Sequence, residues 1–232
     1  MLAPAKQLLL LQELDDHGRT SHLADDELNA LRAVGGWIRT FVISPHEDLG
    51  RAGPVCPFVP EALERRTLWL CAEHLGERGV PDLVELMNRY RQVLLRSEPS
   101  EGENRGCKAL VIVLAGLSAA RAKDYLDDPQ VQELKRQCYV EDGVVIGDFH
   151  ARNEGAAIRN PDFHPFRSPV PFLLMRHGVL SDWMFFLDND SEDWLAAWER
   201  RFRDSAFRTL AEQLRRTNWR QLESGWGPHG HT

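Results

Sequence analysis

Several features that identify a class of protein are missing from this chain of 232 residues. It has no run of about 18 apolar residues, so no membrane-spanning helix is predicted. Its four cysteines form no C-x-x-C pair, which argues against a zinc ribbon or a thioredoxin-like site. Dinucleotide-binding, Walker and nucleophile-elbow motifs are also missing. No signal peptide is recognisable, and we therefore expect a reduced, cytoplasmic protein without membrane contact.

Lysine is scarce, with four residues, and arginine supplies the rest of the 28 basic side chains. Against 35 acidic residues the formal net charge is −7, so nucleic acid is not expected as a partner. Hydrophobic residues make up 43% of the chain, which is enough for a sizeable core. The composition is typical of a globular protein.

Hydrophobic periodicity predicts a mixture of helices and strands. Helical spacing of apolar residues predicts helices over 26–42, 81–97, 129–138 and 191–218. Short apolar segments predict strands over 67–72, 107–114, 144–149 and 171–177. This order favours an α+β fold, in which a mainly antiparallel sheet of about four strands is covered by helices and a long helix ends the domain.

The domain organisation follows from where this patterning begins and ends. Residues 1–24 are weakly patterned and are interpreted as a peripheral N-terminal segment. We predict a single α+β domain over residues 25–220. Residues 221–232 are rich in glycine and histidine, and we predict a disordered tail there.

Two segments, 144–177 and 45–60, concentrate the side chains that could carry chemistry. His150 follows a predicted strand, where a neutral imidazole is a natural ligand for haem or a metal. His177 ends the next predicted strand and could ligate a metal, line a pocket or cap a carbonyl group. His164 lies in a loop rich in proline. The structural alternative for each is a histidine that is only hydrogen-bonded at a sheet edge or in a loop.

The loop over 45–60 contributes a cysteine that precedes a proline. Cys56 in this context could coordinate haem iron as a thiolate, act as a nucleophile with His46, or be a buried and inert side chain. Arg51, Arg167 and Arg176 are suited to binding a carboxylate. Pairing with nearby aspartates is the alternative for these arginines.

The sequence PHEDLGRAGPVCPFVP, followed by GCKALVIVL, GDFHARNEG and NPDFHPFRSPVPFLLMRH, resembles a bacterial family known only as a domain of unknown function. More remotely, the order of features is similar to the YqcI/YcgG family. That family includes haem-dependent enzymes that hydroxylate nitrogen on arginine-like or guanidine substrates. The shared features are a cysteine–proline–aromatic segment, a Gly-x-x-His at a strand end and an apolar strand ending in histidine. Cys56–Phe58, Gly147–His150 and Phe172–His177 hold these places.

The resemblance implies a haem-dependent oxygenase that hydroxylates or oxidises a nitrogen of a small amino acid, amine or guanidine, in natural-product biosynthesis. Its oxidant would be O₂ or peroxide, and a homodimer is part of the hypothesis. The haem iron would be held by His150 as the leading axial ligand. The other residues of the haem-binding set are Cys56, Arg176, His46 and Arg51. The candidate catalytic residues are His164, Arg167 and His177.

Two hypotheses of other classes stand beside the haem enzyme. The first is a non-oxidative transferase or lyase in which Cys56 acts with His46 or His150. The second is a non-catalytic module that binds a small ligand through the proline-rich loops.

Overall fold

The structure, a computed structural model, describes residues 6–76, 78–100, 106–157, 159–178 and 182. The chain divides into two compact units, residues 1–179 and 180–232, and every element given below belongs to the first unit. The helix predicted over 191–218 and the tail predicted over 221–232 lie outside the described residues.

The helices start where the sequence provides a cap or a proline. The Asp128 side chain accepts a hydrogen bond from the Gln130 amide at the start of the helix Pro129–Asp142, and Pro129 occupies the first turn. Gly143 ends that helix with a φ of 66°, a conformation that glycine adopts without strain. None of the helices in the described part of the chain is long and apolar enough to cross a bilayer. The helices are α1 His17–Thr20, α2 Asp25–Trp37, α3 Val59–Glu64, α4 Val80–Arg96, α5 Ala119–Leu126 and α6 Pro129–Asp142.

One mixed sheet of five strands, in the order β1-β2-β3-β5-β4, organises the fold. The strands are β1 Leu9–Leu10, β2 Leu68–His74, β3 Ala109–Ala115, β4 Val144–Phe149 and β5 Phe172–His177. β2 and β3 are parallel, and the other three neighbouring pairs are antiparallel. The predicted α+β class and the mainly antiparallel sheet are confirmed, but the sheet has five strands instead of about four.

The strand that the sequence analysis missed is β1. It is two residues long, too short for a periodic pattern, and Leu9 pairs with Leu70 of β2. Leu9, Leu11 and Leu14 are almost completely buried. Leu9 and Leu10 therefore belong to the sheet, and Leu9, Leu11 and Leu14 belong to the hydrophobic core.

The sheet separates two hydrophobic cores, and β3 contributes to both because all seven of its residues are buried. Leu110, Ile112 and Leu114 face the core that contains side chains of α4, α5 and α6. Val111 and Val113 face the core that contains side chains of α2 and α3. Successive side chains of a strand point to opposite faces, so the even-numbered residues of β3 reach one core and the odd-numbered residues reach the other.

One edge of the sheet gathers the segments that matter for function. Phe172, the first residue of β5, pairs with Phe149 at the end of β4 and with Val113 near the end of β3. The chain after β3, the chain after β4 and the chain before β5 therefore meet at this edge.

The buried N-terminal leucines give a test of the fold. We expect Leu14→Ala to lower the free energy of unfolding by about 2–5 kcal/mol, because it opens a cavity in a closely packed core. Gln7→Ala, at an exposed position of the same segment, is the matched control and should change it by less than about 0.5 kcal/mol. Urea denaturation measures both. Equal values for the two variants would contradict the placement of Leu14 in the core.

Candidate functional site

The end of β4 places an aspartate and a histidine on the same side of the sheet. Val144 and Ile146 face the core that contains α4, α5 and α6. Asp148 and His150 continue the same alternate positions along the chain as Val144 and Ile146. Their side chains therefore point to the same face of the sheet, toward α5 and α6.

His150 is the most unusual side chain at this edge. It is 0% exposed, and neither ring nitrogen has a hydrogen-bond partner among the residues that the structure describes. A buried polar group without a partner costs about 1–3 kcal/mol, so such groups require an explanation. Burial lowers the pKa of His150, and the nearby carboxylates of Asp127 and Asp148 act in the opposite direction. The imidazole is thus held in its neutral form, which is the form that binds metals.

Two carboxylates face this imidazole. Asp127, at the C-terminal end of α5, places Oδ1 at 3.8 Å from Nε2 of His150. One ligand atom each from Asp127, Asp148 and His150 lies within 4.8 Å of the others. The 3.8 Å separation is too long for a hydrogen bond, whereas two donors about 2.1 Å from one tetrahedral zinc ion lie about 3.4 Å apart, so these two atoms would have to approach by a few tenths of an ångström to share an ion.

A lysine pairs with each of these carboxylates. Lys135 of α6 forms an ion pair with Asp148, whose side chain is largely buried. Lys123 of α5 donates to the other oxygen of Asp127, Oδ2, at 3.0 Å, and to Glu154 at 3.2 Å. Each carboxylate therefore keeps lone pairs that are not used by its lysine.

Asn153 fixes the orientation of Asp148 and of the chain after His150. Its Nδ2 donates to the carbonyl oxygen of Asp148 at 3.0 Å and to the carboxylate at 3.2 Å. Its Oδ1 accepts from the Gly155 amide at 2.8 Å. Asn153 is buried, so these bonds give it one orientation.

The other residues of the expected haem set lie elsewhere. Arg176 faces the opposite side of the sheet from His150, where its guanidinium lies 4.9 Å from the ring centroid of Phe58. Cys56 packs against the hydrophobic core of that same side. Arg51 donates to two carbonyl oxygens of its own loop, Ala52 and Val55.

His177 lies on the same side as His150 but at the other end of β4. It pairs with Val144, whereas His150 follows Phe149. Five residues at about 3.4 Å each separate these ends, which is roughly 17 Å along the strand. These two histidines therefore cannot bind one ion together.

His164 and Arg167 stabilise the loop after His150. Nδ1 of His164 lies 3.3 Å from the carbonyl oxygen of Gly155, and Nε of Arg167 donates to the carbonyl oxygen of Asn153 at 3.0 Å. Both side chains thus have structural partners next to the site, and neither is found among the cluster of donors around His150.

The two segments singled out in the sequence do meet, although not around His150. The ring of His46 stacks on Phe163 with centroids 4.4 Å apart. Asn160 donates to the carbonyl oxygen of Asp48 at 2.8 Å. The contact joins the proline-rich loops through aromatic and polar side chains.

The surroundings of His150 do not fit a haem. An axial histidine needs open space at one nitrogen for the flat macrocycle. Here the imidazole is completely enclosed, and the Asp127 carboxylate occupies the direction of Nε2. One imidazole and two carboxylates, an N and O donor set, suit a small divalent cation instead.

Sequence reasoning missed two of the three residues in this cluster. Asp148 could have been found, because an Asp-x-His pair at a strand end places both side chains on one face. Asp127 carries no such signal, since it reaches His150 only through the packing of α5 and α6 against the sheet.

Comparison with known families adds one match. The model of a family described as a domain of unknown function (DUF6875) matches residues 31–213. The chain belongs to this family. No curated protein matches the chain, and no solved structure matches it. Asp127, Asp148 and His150 all lie within the matched residues, and the similarity to the YqcI/YcgG family stays a prediction.

Cysteine reactivity tests the environment of Cys56. Burial raises the pKa of the Cys71 thiol to about 12 and that of Cys138 to about 11. Because the thiolate is the nucleophile, we expect iodoacetamide at pH 8 to leave both unmodified in the folded protein and to alkylate the half-buried Cys56. Peptide mass spectrometry measures this, with urea-unfolded protein as the control. Alkylation of Cys71 at the same rate in both states would contradict the structure.

Proposed function

We propose that this chain binds one divalent cation of the first transition row through Asp127, Asp148 and His150. The observation that supports it best is the buried imidazole of His150, which has no hydrogen-bond partner among the described residues and faces two carboxylates. Metal binding requires a neutral imidazole, and burial lowers the pKa of His150.

The arrangement favours a reactive site over a purely structural one. Three protein ligands leave at least one position for water or for an oxygen of a substrate. The Asp127 side chain is 46% exposed, so the cluster can be reached from solvent on that side. A cation bound there would polarise a substrate oxygen or lower the pKa of a bound water.

The surrounding residues have separate tasks in this proposal. Lys123 and Lys135 place a positive charge beside each carboxylate, which limits the repulsion between the two. Asn153 holds Asp148 in one orientation, as partners of metal ligands commonly do. Lys123 is shared between Asp127 and Glu154.

The haem-dependent N-oxygenase in the cytoplasm, with a small amine, amino acid or guanidine as substrate, is the competing proposal. It depends on the remote resemblance, whereas the geometry around His150 supports a small cation. The version of the non-oxidative enzyme that pairs Cys56 with His150 receives less support, because Cys56 packs against the core that contains α2 and α3, whereas His150 projects to the other side of the sheet. The pairing of Cys56 with His46 is not affected by this argument.

Calorimetric titration tests the cation. Protein stripped with EDTA should bind Mn²⁺ or Zn²⁺ with a stoichiometry of one, and Asp127→Asn should weaken binding at least tenfold because a charged ligand is lost. The matched control is Asp124→Asn, an exposed aspartate of the same helix, which should bind as the wild type does. Equal affinity of the two variants, or no binding by the wild type, would overturn the proposal.

Absorption spectroscopy distinguishes a bound haem from a small divalent cation. Protein expressed with added haem precursor should show no Soret band if the site takes a small cation. A Soret band that is present in the wild type and lost in His150→Ala would instead favour the haem enzyme.

Asn153 provides a prediction about ligand orientation. We expect Asn153→Ala to weaken cation binding about 10–100-fold, because Asp148 loses the donor that orients it. Asn160→Ala removes a comparable side-chain hydrogen bond far from the cluster and should leave the affinity unchanged. Thermal unfolding of both variants checks that they are folded. A normal affinity in folded Asn153→Ala would show that the orientation of Asp148 does not matter.

A further inference from the structure

A partly open cleft of about 470 Å³ lies at the edge where β3 and β4 end and β5 begins. Clefts of this size hold small organic molecules. Leu117 follows β3, Ala151 follows His150, and Val170 and Pro171 precede β5. The first turns of α2 form the remaining wall and contribute Asp26.

The walls of the cleft are mainly apolar. The lining side chains from the turn after β3, the loop after β4 and the segment before β5 are hydrocarbon groups. Among the described residues that line the cleft, Asp26 is the one that carries a charge, and Asn29 adds an amide one turn later. A complementary ligand therefore has a hydrocarbon body and one group that suits a carboxylate.

The Asp26 carboxylate has room for such a group. Its side chain is 61% exposed, Oδ1 accepts a hydrogen bond from the Glu27 amide at 2.9 Å, and Oδ2 lies 3.2 Å from Nε2 of His74. Each oxygen has two lone pairs and can therefore accept one more hydrogen bond. A histidine compensates a carboxylate charge only when it is protonated. The neighbouring Glu27 is almost completely buried and is paired with Lys6, so that lysine is already engaged by another carboxylate.

The position of His74 depends on a glycine of the cleft. Gly116 has a φ of 73°, and a Cβ added to it would lie 3.3 Å from Nδ1 of His74. The turn after β3 therefore approaches the imidazole closely and holds it beside Asp26. The Asp26 carboxylate therefore contacts His74 and also lines the cleft.

We propose that this cleft binds a small apolar molecule that carries a protonated amine. The ammonium group would donate to Asp26, and the hydrocarbon body would pack against Leu117, Val170 and Pro171. An ammonium group forms an ion pair with the carboxylate in addition to the hydrogen bond, whereas a hydroxyl offers the hydrogen bond alone, so the amine is preferred over the alcohol on the same skeleton. The proposal does not depend on the cation, because Asp26 is not one of the cation's ligands.

A pair of ligands with one skeleton tests the charge. We expect cyclohexylmethylamine, added to ¹⁵N-labelled full-length protein at pH 7, to shift the backbone amide signals of Asn29, Leu117 and Val170. Cyclohexylmethanol should bind at least about tenfold more weakly, because it lacks the charge. Equal dissociation constants for the two ligands, or shifts confined to other parts of the chain, would overturn the proposal.

Two variants test whether Asp26 is the residue that pairs with the ammonium group. Asp26→Asn should abolish the preference for the amine over the alcohol, whereas Asp25→Asn, an exposed neighbour outside the cleft, should retain it. A retained preference in folded Asp26→Asn would overturn the assignment. Titration of Asp26→Asn with Mn²⁺ should match the wild type, so a failure of the amine site is distinguishable from a failure of the cation site.

Discussion

The separation of the interior into two cores by β3 determines which side chains of this protein can meet. Every residue of β3 is buried, so the strand lies between hydrophobic layers on both faces, and β2 and β5 pair with its two edges. The alternation of side chains then assigns each residue of the neighbouring strands to one side. His150 and Asp148 reach the side of α5 and α6, whereas Arg176 reaches the other. Only side chains that reach the same side of the sheet can take part in one site.

Much of the fold was predictable because its longer elements carry strong local patterns. The predicted strand over 144–149 coincides with β4, and the predicted helix over 81–97 differs from α4 by one residue at each end. The π-helical turn Ile38–Val42 continues α2 and explains why one long helix was expected there. Elements that depend on tertiary contacts, such as the two-residue β1, have no periodic signal and were missed.

The candidate site was predictable only in part. A histidine at the end of β4 was recognised as a ligand, since local sequence reveals a strand end. The strand parity that separates His150 from Arg176, and the register that places His177 at the other end of β4, depend on pairing between distant segments. Asp127 depends on the packing of two helices. A linear sequence therefore indicated the imidazole but not its neighbours.

The energetics of His150 indicate why this cluster is more than a feature of packing. An apolar side chain of similar size would fill the same space without the cost of about 1–3 kcal/mol for an unpaired buried polar group. That cost is a considerable fraction of a total stability of about 5–15 kcal/mol. A ligand that bonds the imidazole removes this cost and binds only the folded chain, so its binding energy adds to stability. The cluster is therefore destabilising when the imidazole has no partner and stabilising when it has one, as expected of a binding site.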